Sequence, residues 1–395
     1  MYICPVFKAY KYRLYPTNLQ KELIHKHCGS SRFVYNLALE TKQMAYAGSK
    51  VNLNCFDLIK QLPDLKKELP WLKECNSQSL QAPIRNLDNA FTKFFKGQAD
   101  FPNFKKKSNR GSFNVPQNVI VSDGRLIIPK FKEGIRIKLH RDLVGTVKQA
   151  TVSFTPTGKY FVSILCDTGE ETPTKRPVKE STSVGIDLGI KTFIVASNRQ
   201  EFDNPKHLRK AESRLKYVQR KYSKNKGKRT KHRLATLHEK VANKRKDFLH
   251  KVSSELIKNH DTVCTETLQV SNMLKNHNLA KSISDAGWGT FVTMLEYKAD
   301  WYGKNLLKIG TFEPSSKMCS CCGKINKELT LKDREWTCKG CSTLLSRDLN
   351  ASINIKSFAL KNYVSGTETK NRNELSTLVE VLTSEAHSSP SGVGG

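Results

Sequence analysis

Four cysteines near the end of the chain are spaced for metal chemistry: Cys319-x2-Cys322, fifteen residues, then Cys338-x2-Cys341. Two thiolate pairs at that separation suit a tetrahedral ion held by two knuckles. A closed four-sulfur set leaves no position for substrate, so the pattern reads as a structural Zn²⁺ in a ribbon. Cys321 lies between ligands and is spare, while Gly323 and Gly340 give the knuckles backbone freedom. The other candidates are three carboxylates. Asp348 opens the run Arg347-Asp348-Leu349-Asn350-Ala351-Ser352-Ile353-Asn354-Ile355. On a helix it shares a face with Ala351, Ser352 and Ile355, a surface so narrow that something must lie close against it. A first-turn aspartate is equally a helix cap. Asp187 falls within Ser183 to Ala196, which reads as a central strand with Gly185, Asp187 and Gly189 on one face, leaving room for a large polyanion. The other reading is an aspartate at a tight turn between two strands. A buried, unpaired carboxylate is costly, so Asp187 calls for cations. Glu266 stands near the C-terminal end of a core strand, Asp261 to Leu268, where sheet-based sites commonly sit.

These residues need elements to hold them. The chain has 395 residues, enough for two or three domains. Its 67 Lys+Arg against 36 Asp+Glu leave a net charge of +31, a field that favours polyanions and predicts steeply salt-dependent nucleic-acid binding. Phe7 to Tyr15 alternates basic with apolar or aromatic residues and reads as a strand with a basic face. Asn18 to about Gly48 has helical spacing interrupted at Gly29-Ser30-Ser31, either a helix-turn-helix or a plain helical hairpin. Another helix, Gln78 to Phe95, leads into the basic loop Phe101 to Lys107. From Arg110 the period is two, with turn residues between short strands, which predicts a small barrel or sandwich completed by the first strand. A polar linker, Gly169 to Ser183, closes that half. Lys206 to Lys251 carries 18 Lys/Arg and three acidic residues, a cationic helical hairpin suited to tracking a phosphate backbone.

Taken together, the motifs resemble the TnpB family, RNA-guided nucleases of the RuvC type that are encoded by insertion sequences and related to type V CRISPR effectors. Gly-Ile-Asp-Leu-Gly (185 to 189), Thr-Glu-Thr-Leu around Glu266, the two cysteine pairs and Arg-Asp-Leu-Asn-Ala-Ser-Ile-Asn-Ile (347 to 355) stand in the family's order. Tyr-Arg-Leu-Tyr-Pro (12 to 16), Arg-Phe-Val-Tyr-Asn (32 to 36) and Phe-Pro-Asn-Phe-Lys-Lys-Lys (101 to 107) also look like family motifs. Ser346 and Ser342 depart from it, where an Asp and a Gly are expected.

The resemblance implies an α/β multidomain protein. A β-barrel wedge domain (1–17 and 110–180) would carry an inserted helical recognition lobe (18–109). An RNase H-like RuvC nuclease domain (181–312 and 343–364) would include the basic hairpin (206–252) and a four-cysteine zinc-ribbon insertion (313–342), with a disordered tail at 365–395. The family's catalytic carboxylates fall on Asp187, Glu266 and Asp348, expected to hold two Mg²⁺ ions for hydrolysis of a phosphodiester. Its zinc ligands fall on Cys319, Cys322, Cys338 and Cys341. The implied partners are a guide RNA from the end of the same element, double-stranded target DNA beside a short target-adjacent motif, and a transposase of that element. Tyr10, Tyr12, Lys105, Lys106 and Lys107 are candidate contacts. A strand-transfer transposase and a nuclease-silent guided repressor are the other readings of the same core. No apolar run approaches the roughly 20 residues of a membrane span and the first ten residues lack a signal-peptide pattern. The expected location is therefore the cytoplasm, in association with the nucleoid, with no membrane partner.

Overall fold

The computed structural model describes residues 5–108, 110–330 and 332–386, with side chains described for residues 6–366 of these. The chain divides into two compact units, Met1–Glu171 and Thr172–Gly395. In the first, β1 (Pro5–Tyr15) is followed by four helices, α1 (Asn18–Ser49), α2 (Cys55–Lys60), α3 (Leu62–Glu68) and α4 (Ser77–Phe95). Six more strands follow: β2 (Gly111–Val115), β3 (Ile120–Ser122), β4 (Arg125–Ile128), β5 (Phe131–Lys138), β6 (Thr146–Phe154) and β7 (Tyr160–Glu171). The seven strands form one sheet in the order β2-β6-β7-β1-β5-β4-β3, antiparallel at every pairing. Residues from both ends of that order, Phe113 and Val115 with Leu126 and Ile128, share one core, so the sheet is curled. Among the described residues no ladder joins β2 to β3, and the expected barrel is an open curled sheet. The edge strand β3 has only three residues, too short to close the ring.

Strand alternation behaves as the sequence requires. β1 buries Tyr10, Tyr12 and Leu14 and exposes Phe7, Lys11 and Tyr15. The Tyr12 hydroxyl donates to the Arg141 carbonyl at 3.1 Å. Tyr10 and Tyr12 are therefore core residues and not nucleic-acid contacts.

Helix α1 is continuous through Gly29-Ser30-Ser31, where the sequence had suggested a break. Ser30 and Ser31 mark close contacts, while Gly29 faces open space. Ser30 is buried and accepts the Cys75 thiol at 3.2 Å. Pro83, inside α4, has no N–H for the Ser79 carbonyl, and the Ser31 hydroxyl points at that carbonyl from 3.5 Å. Nearby, His27 is fully buried between Phe113 and Phe131. Its Nδ1–H donates to the Leu23 carbonyl at 2.8 Å and its Nε2 accepts the Asn76 N–H at 3.1 Å, so the ring is neutral.

The second unit begins with β8 (Ser183–Leu188), β9 (Thr192–Ala196) and β10 (Glu201–Asp203). The long basic helices α5 (His207–Lys224) and α6 (Lys228–Asn259) follow, then β11 (Thr262–Glu266), α7 (Val270–Met273), α8 (His277–Ala286), α9 (Trp288–Trp301) and β12 (Asn305–Ile309). The short pair β13 (Glu335–Thr337) and β14 (Leu344–Ser346) leads into α10 (Arg347–Ala386). The sheet order is β10-β9-β8-β11-β12, antiparallel across its first three strands and parallel from β8 onward. Ser183 to Ala196 is thus two strands rather than one. The turn between them requires Gly189, whose N–H bonds the Phe193 carbonyl at 3.1 Å and where a Cβ would come within 2.5 Å of the Thr192 oxygen. α10 also departs from the expected unstructured tail. No proline interrupts Arg347 to Ala386, so nothing in that stretch stops the helix; residues 387–395 lie outside the described residues. No helix among the described residues is long and apolar enough to cross a membrane.

Helix α10 lies on the sheet where β8 has no side chain. A Cβ on Gly185 would come within 2.0 Å of the Ser352 carbonyl oxygen and 2.8 Å of the Lys356 backbone nitrogen. Ala351, Ser352 and Ile355 are all fully buried there. The space beside Gly185 is filled by helix backbone and is not an approach for a polyanion.

Two outcomes follow from this packing. Gly185→Ala should lower stability by about 3 kcal/mol, since neither backbone can yield; a urea midpoint equal to wild type would place the helix elsewhere. Burial lowers the His27 pKa below its unfolded value of about 6.5. The neutral ring then stabilises the fold fully above that pH and progressively less as pH falls. Thermal unfolding between pH 8 and pH 5 should fall more steeply for wild type than for His27→Gln, and parallel curves would refute the assignment.

Candidate active site and four-cysteine module

The two strand carboxylates are placed by register. The parallel ladder pairs Gly185 on β8 with Cys264 on β11. Asp187 and Glu266 each lie two residues further on, at the same end of neighbouring strands and on the face that Gly185 presents to α10. Asp348 arrives from the helix. It precedes Ser352, which covers Gly185, by four residues or about 6 Å, while Asp187 follows Gly185 by two strand residues, about 6.6 Å. The matched steps bring three carboxyls from three elements into one electrostatic neighbourhood.

Asp187 shows the effect. Desolvated by the surrounding chain although still partly exposed, and facing the charges of Glu266 and Asp348, its carboxyl is raised to about 7. Arg347 and the Leu188 N–H act in the opposite direction. Asp348 has its own counter-charges: Arg334 donates to Oδ2 at 3.1 Å and the Arg347 guanidinium lies 3.4 Å from Oδ1. Glu266 accepts the Ser315 hydroxyl at 2.5 Å. This is a site in which the anionic form of one carboxyl is suppressed by desolvation and then by its neighbours' charges, and a divalent cation would restore it. The donor set of three carboxylates suits hard ions such as Mg²⁺. The carboxylate oxygens do not converge as tightly as the cysteine sulfurs do.

Those sulfurs, of Cys319, Cys322, Cys338 and Cys341, all lie within 4.8 Å of one another. The Cys319–Cys341 and Cys322–Cys338 separations are 3.7 and 3.5 Å, close to the roughly 3.8 Å edge of a tetrahedron with 2.3 Å metal–sulfur bonds. The Gly340 N–H holds Cys338 below the usual thiol range, and the Thr343 hydroxyl and N–H bring Cys341 down to about 6. Burial pushes Cys319 in the opposite direction, up to about 12, so a bound cation would be needed to hold all four as thiolates. Gly323, after the first pair, has φ +76°, and Ser342 stands in the matching place after the second pair with φ +56°. The serine there is a strained substitute for the glycine expected. Gly340 is needed for space, since a Cβ would come within 3.2 Å of the Cys322 sulfur.

The module and the carboxylates are joined by residues to which the sequence reading gave no role. Asn350 donates to the Met318 carbonyl at 2.7 Å and accepts the Ser320 N–H at 2.8 Å. Asn354, one turn later, donates to the Ser315 and Met318 carbonyls at 2.7 and 2.6 Å. Arg347 reaches the Thr330 and Asp333 carbonyls, both at 3.3 Å. Two buried asparagines four residues apart, one turn into the helix that Asp348 opens, were the available signal.

The first unit holds a separate feature. Asn36 clamps the basic loop by accepting the Lys105 N–H at 2.8 Å and donating to its carbonyl at 3.0 Å. The Lys105 ammonium rests 3.7 Å from the centre of the Tyr35 ring. Two sequence motifs, 32–36 and 101–107, thus meet beside a groove of about 1110 Å³ lined by Arg32, Asn86, Lys106, Lys107, Arg110 and Asn114.

Fold and site together define an α/β protein with a carboxylate cluster on a mixed five-stranded sheet and a four-cysteine insertion. Family models described as "Probable transposase", "Cas12f1-like, TNB domain" and "Helix-turn-helix domain" match residues 163–277, 288–355 and 1–50. A Streptomyces pristinaespiralis protein named "Putative RNA-guided DNA endonuclease" is 38% identical over 361 residues, covering 89% of each chain. InsQ of Escherichia coli (strain K12), with the same description, is 30% identical over 372 residues, covering 88% of this chain and 91% of its own. The chain belongs to the TnpB family. Its fold is similar to that in the "Cryo-EM structure of the Cas12f1-sgRNA-target DNA complex", with a TM-score of 0.57 at 14% identity over 89% of this chain and 99% of the other. The third model's description does not fit α1, which has no turn between helices.

Elemental analysis of the purified protein should find about one thiophilic divalent ion per chain. Cys338→Ser should lose that ion and unfold at a temperature several degrees lower; an unchanged metal content would show that the sulfurs do not act as a set.

Proposed function

We propose that this protein is an RNA-guided DNA endonuclease of an insertion sequence, cutting target DNA beside a short target-adjacent motif. The observation that carries the reading is the convergence of Asp187, Glu266 and Asp348, far apart in sequence, at one end of a parallel strand pair. Two Mg²⁺ ions held by these carboxylates would activate water and stabilise the leaving 3′ oxygen. The chain's own part is to fix the ligands: β8 and β11 present Asp187 and Glu266, α10 presents Asp348, and Arg334 and Arg347 supply positive charge at its rim. Zn²⁺ is the ion best matched to the four cysteines, in a structural role. The β10-β9-β8-β11-β12 order, with its antiparallel and parallel halves, supports an RNase H-like RuvC core. The curled sheet with its helical insertion supports a wedge domain and recognition lobe.

The remaining surface fits a guided mechanism. An RNA and a heteroduplex held by their backbones need long basic channels, and the exposed lysines and arginines of α5 and α6 with the groove beside Lys106 and Lys107 provide cationic surface. The relatives named as RNA-guided endonucleases favour the same partners, guide RNA and double-stranded DNA. The description "Probable transposase" keeps strand transfer by the same carboxylates as the second reading.

Protein purified with its RNA should cut a matched duplex only beside the right motif, with Mg²⁺ present. Asp187→Ala and Asp348→Asn should both abolish cutting and leave RNA affinity and folding intact. Retained cutting would sink the site, loss of folding in Asp348→Asn would return Asp348 to a capping role, and strand-transfer product made without RNA would favour the transposase.

A further inference from the structure

We propose that Ser315 is a positioning residue for the Glu266 carboxylate, and that through it the four-cysteine module governs how well the site takes up a divalent cation. The inference rests on the proposed endonuclease reading. Glu266 is the last residue of its strand and carries a side chain with three rotatable bonds, so β11 alone fixes its Cα but not its oxygens. Ser315 supplies what the strand cannot. Its hydroxyl donates to Glu266 Oε1 at 2.5 Å, and the residue is 4% exposed.

Ser315 is itself held from two sides. Its N–H bonds the Glu313 carbonyl at 2.8 Å, and its carbonyl accepts Asn354 Nδ2 at 2.7 Å. Asn354 stands on α10, the helix that carries Asp348, and also grips Met318, the residue before the first cysteine of the module. One short chain of contacts, from α10 through Asn354 and Ser315 to Glu266, therefore ties the carboxylate on the sheet to the helix that presents Asp348. The choice of side chain fits the task. A lysine or arginine in this place would compete with the cation for Glu266, whereas a neutral hydroxyl fixes one carboxylate oxygen without cancelling the charge. The second oxygen, Oε2, would then be the one to face a bound cation. Outer partners of this kind tune affinity while never touching the metal.

The test is Mn²⁺ binding, read by electron paramagnetic resonance on the full chain with its RNA and without target DNA, alongside the Mg²⁺ dependence of cutting. Ser315→Ala should weaken Mn²⁺ binding and raise the Mg²⁺ concentration for half-maximal cutting by roughly tenfold, with RNA affinity and unfolding temperature unchanged. Ser315→Thr, which keeps the hydroxyl, should recover most of the loss. Wild-type Mn²⁺ affinity in the alanine variant would overturn the proposal, as would a threonine variant no better than alanine. Should alanine disturb folding, the threonine variant decides alone: near-wild-type Mn²⁺ affinity supports the role, and a loss equal to that of Glu266→Gln refutes it. Failure of the underlying reading looks different, because Asp187→Ala would then bind Mn²⁺ and cut as wild type does.

Discussion

The structure of the second unit depends on one close approach, the backbone of α10 against the backbone of β8 at Gly185. Everything at the site is measured from that contact. With a Cβ on residue 185 excluded by the Ser352 carbonyl, the helix can lie in one position along the strand. The positions of Asp348 on the helix and Asp187 on the strand then follow from the helical and strand rises. The small residues of α10 and the glycine of β8 are two halves of a single constraint. This is why a short motif on each carries so much structural information.

The four-cysteine module extends that constraint. It lies in the chain between β12 and α10, and its first knuckle is tied to α10 by Asn350 and Asn354. Through Arg334 it also reaches Asp348, and through Ser315 it reaches Glu266. A closed set of sulfurs does no chemistry on substrate, yet it fixes a loop that touches two of the three carboxylates. In a chain with this much positive charge, arranging counter-charges around an anionic cluster is easy. Keeping them far enough out for a cation to enter is the harder problem, and a rigid module is one solution.

Much of this was legible in the sequence. The cysteine spacing stated its own geometry, and Asp348 was readable as a residue with something close against its face. Alternation in β1 and the hairpins was equally plain. What failed was reading the purpose of small residues. Gly185 and Gly189 were taken as an opening for a ligand, but one accommodates a helix and the other a turn. Gly29-Ser30-Ser31 reads as a break, but the helix runs through it, with Ser30 against Cys75, Ser31 against α4 and Gly29 open to the groove. In each case composition gave the absence of side-chain volume correctly, and only the tertiary structure reveals whether that space is filled, as at Gly185, or left open, as at Gly29. Tyr10 and Tyr12 failed for a related reason: an aromatic between basic residues on a strand points away from them, into the core.

The groove in the first unit shows the same logic with charge in place of volume. Lys105, Lys106 and Lys107 are equivalent in sequence, yet the fold separates them. The backbone of Lys105 is clamped by Asn36 and its ammonium is placed over Tyr35. Partial desolvation lowers its pKa, although the side chain still reaches the surface. All three lysines are exposed and line the groove, so what separates Lys105 is its anchoring and not its access to solvent. One lysine of the run anchors the loop that presents the next two, and a phosphate backbone approaching this groove would meet one cation held in place and two on an anchored loop. Anchoring reduces the conformational entropy lost when these charges bind. For a partner held by its phosphate backbone, such anchoring would favour a defined path over non-specific adhesion.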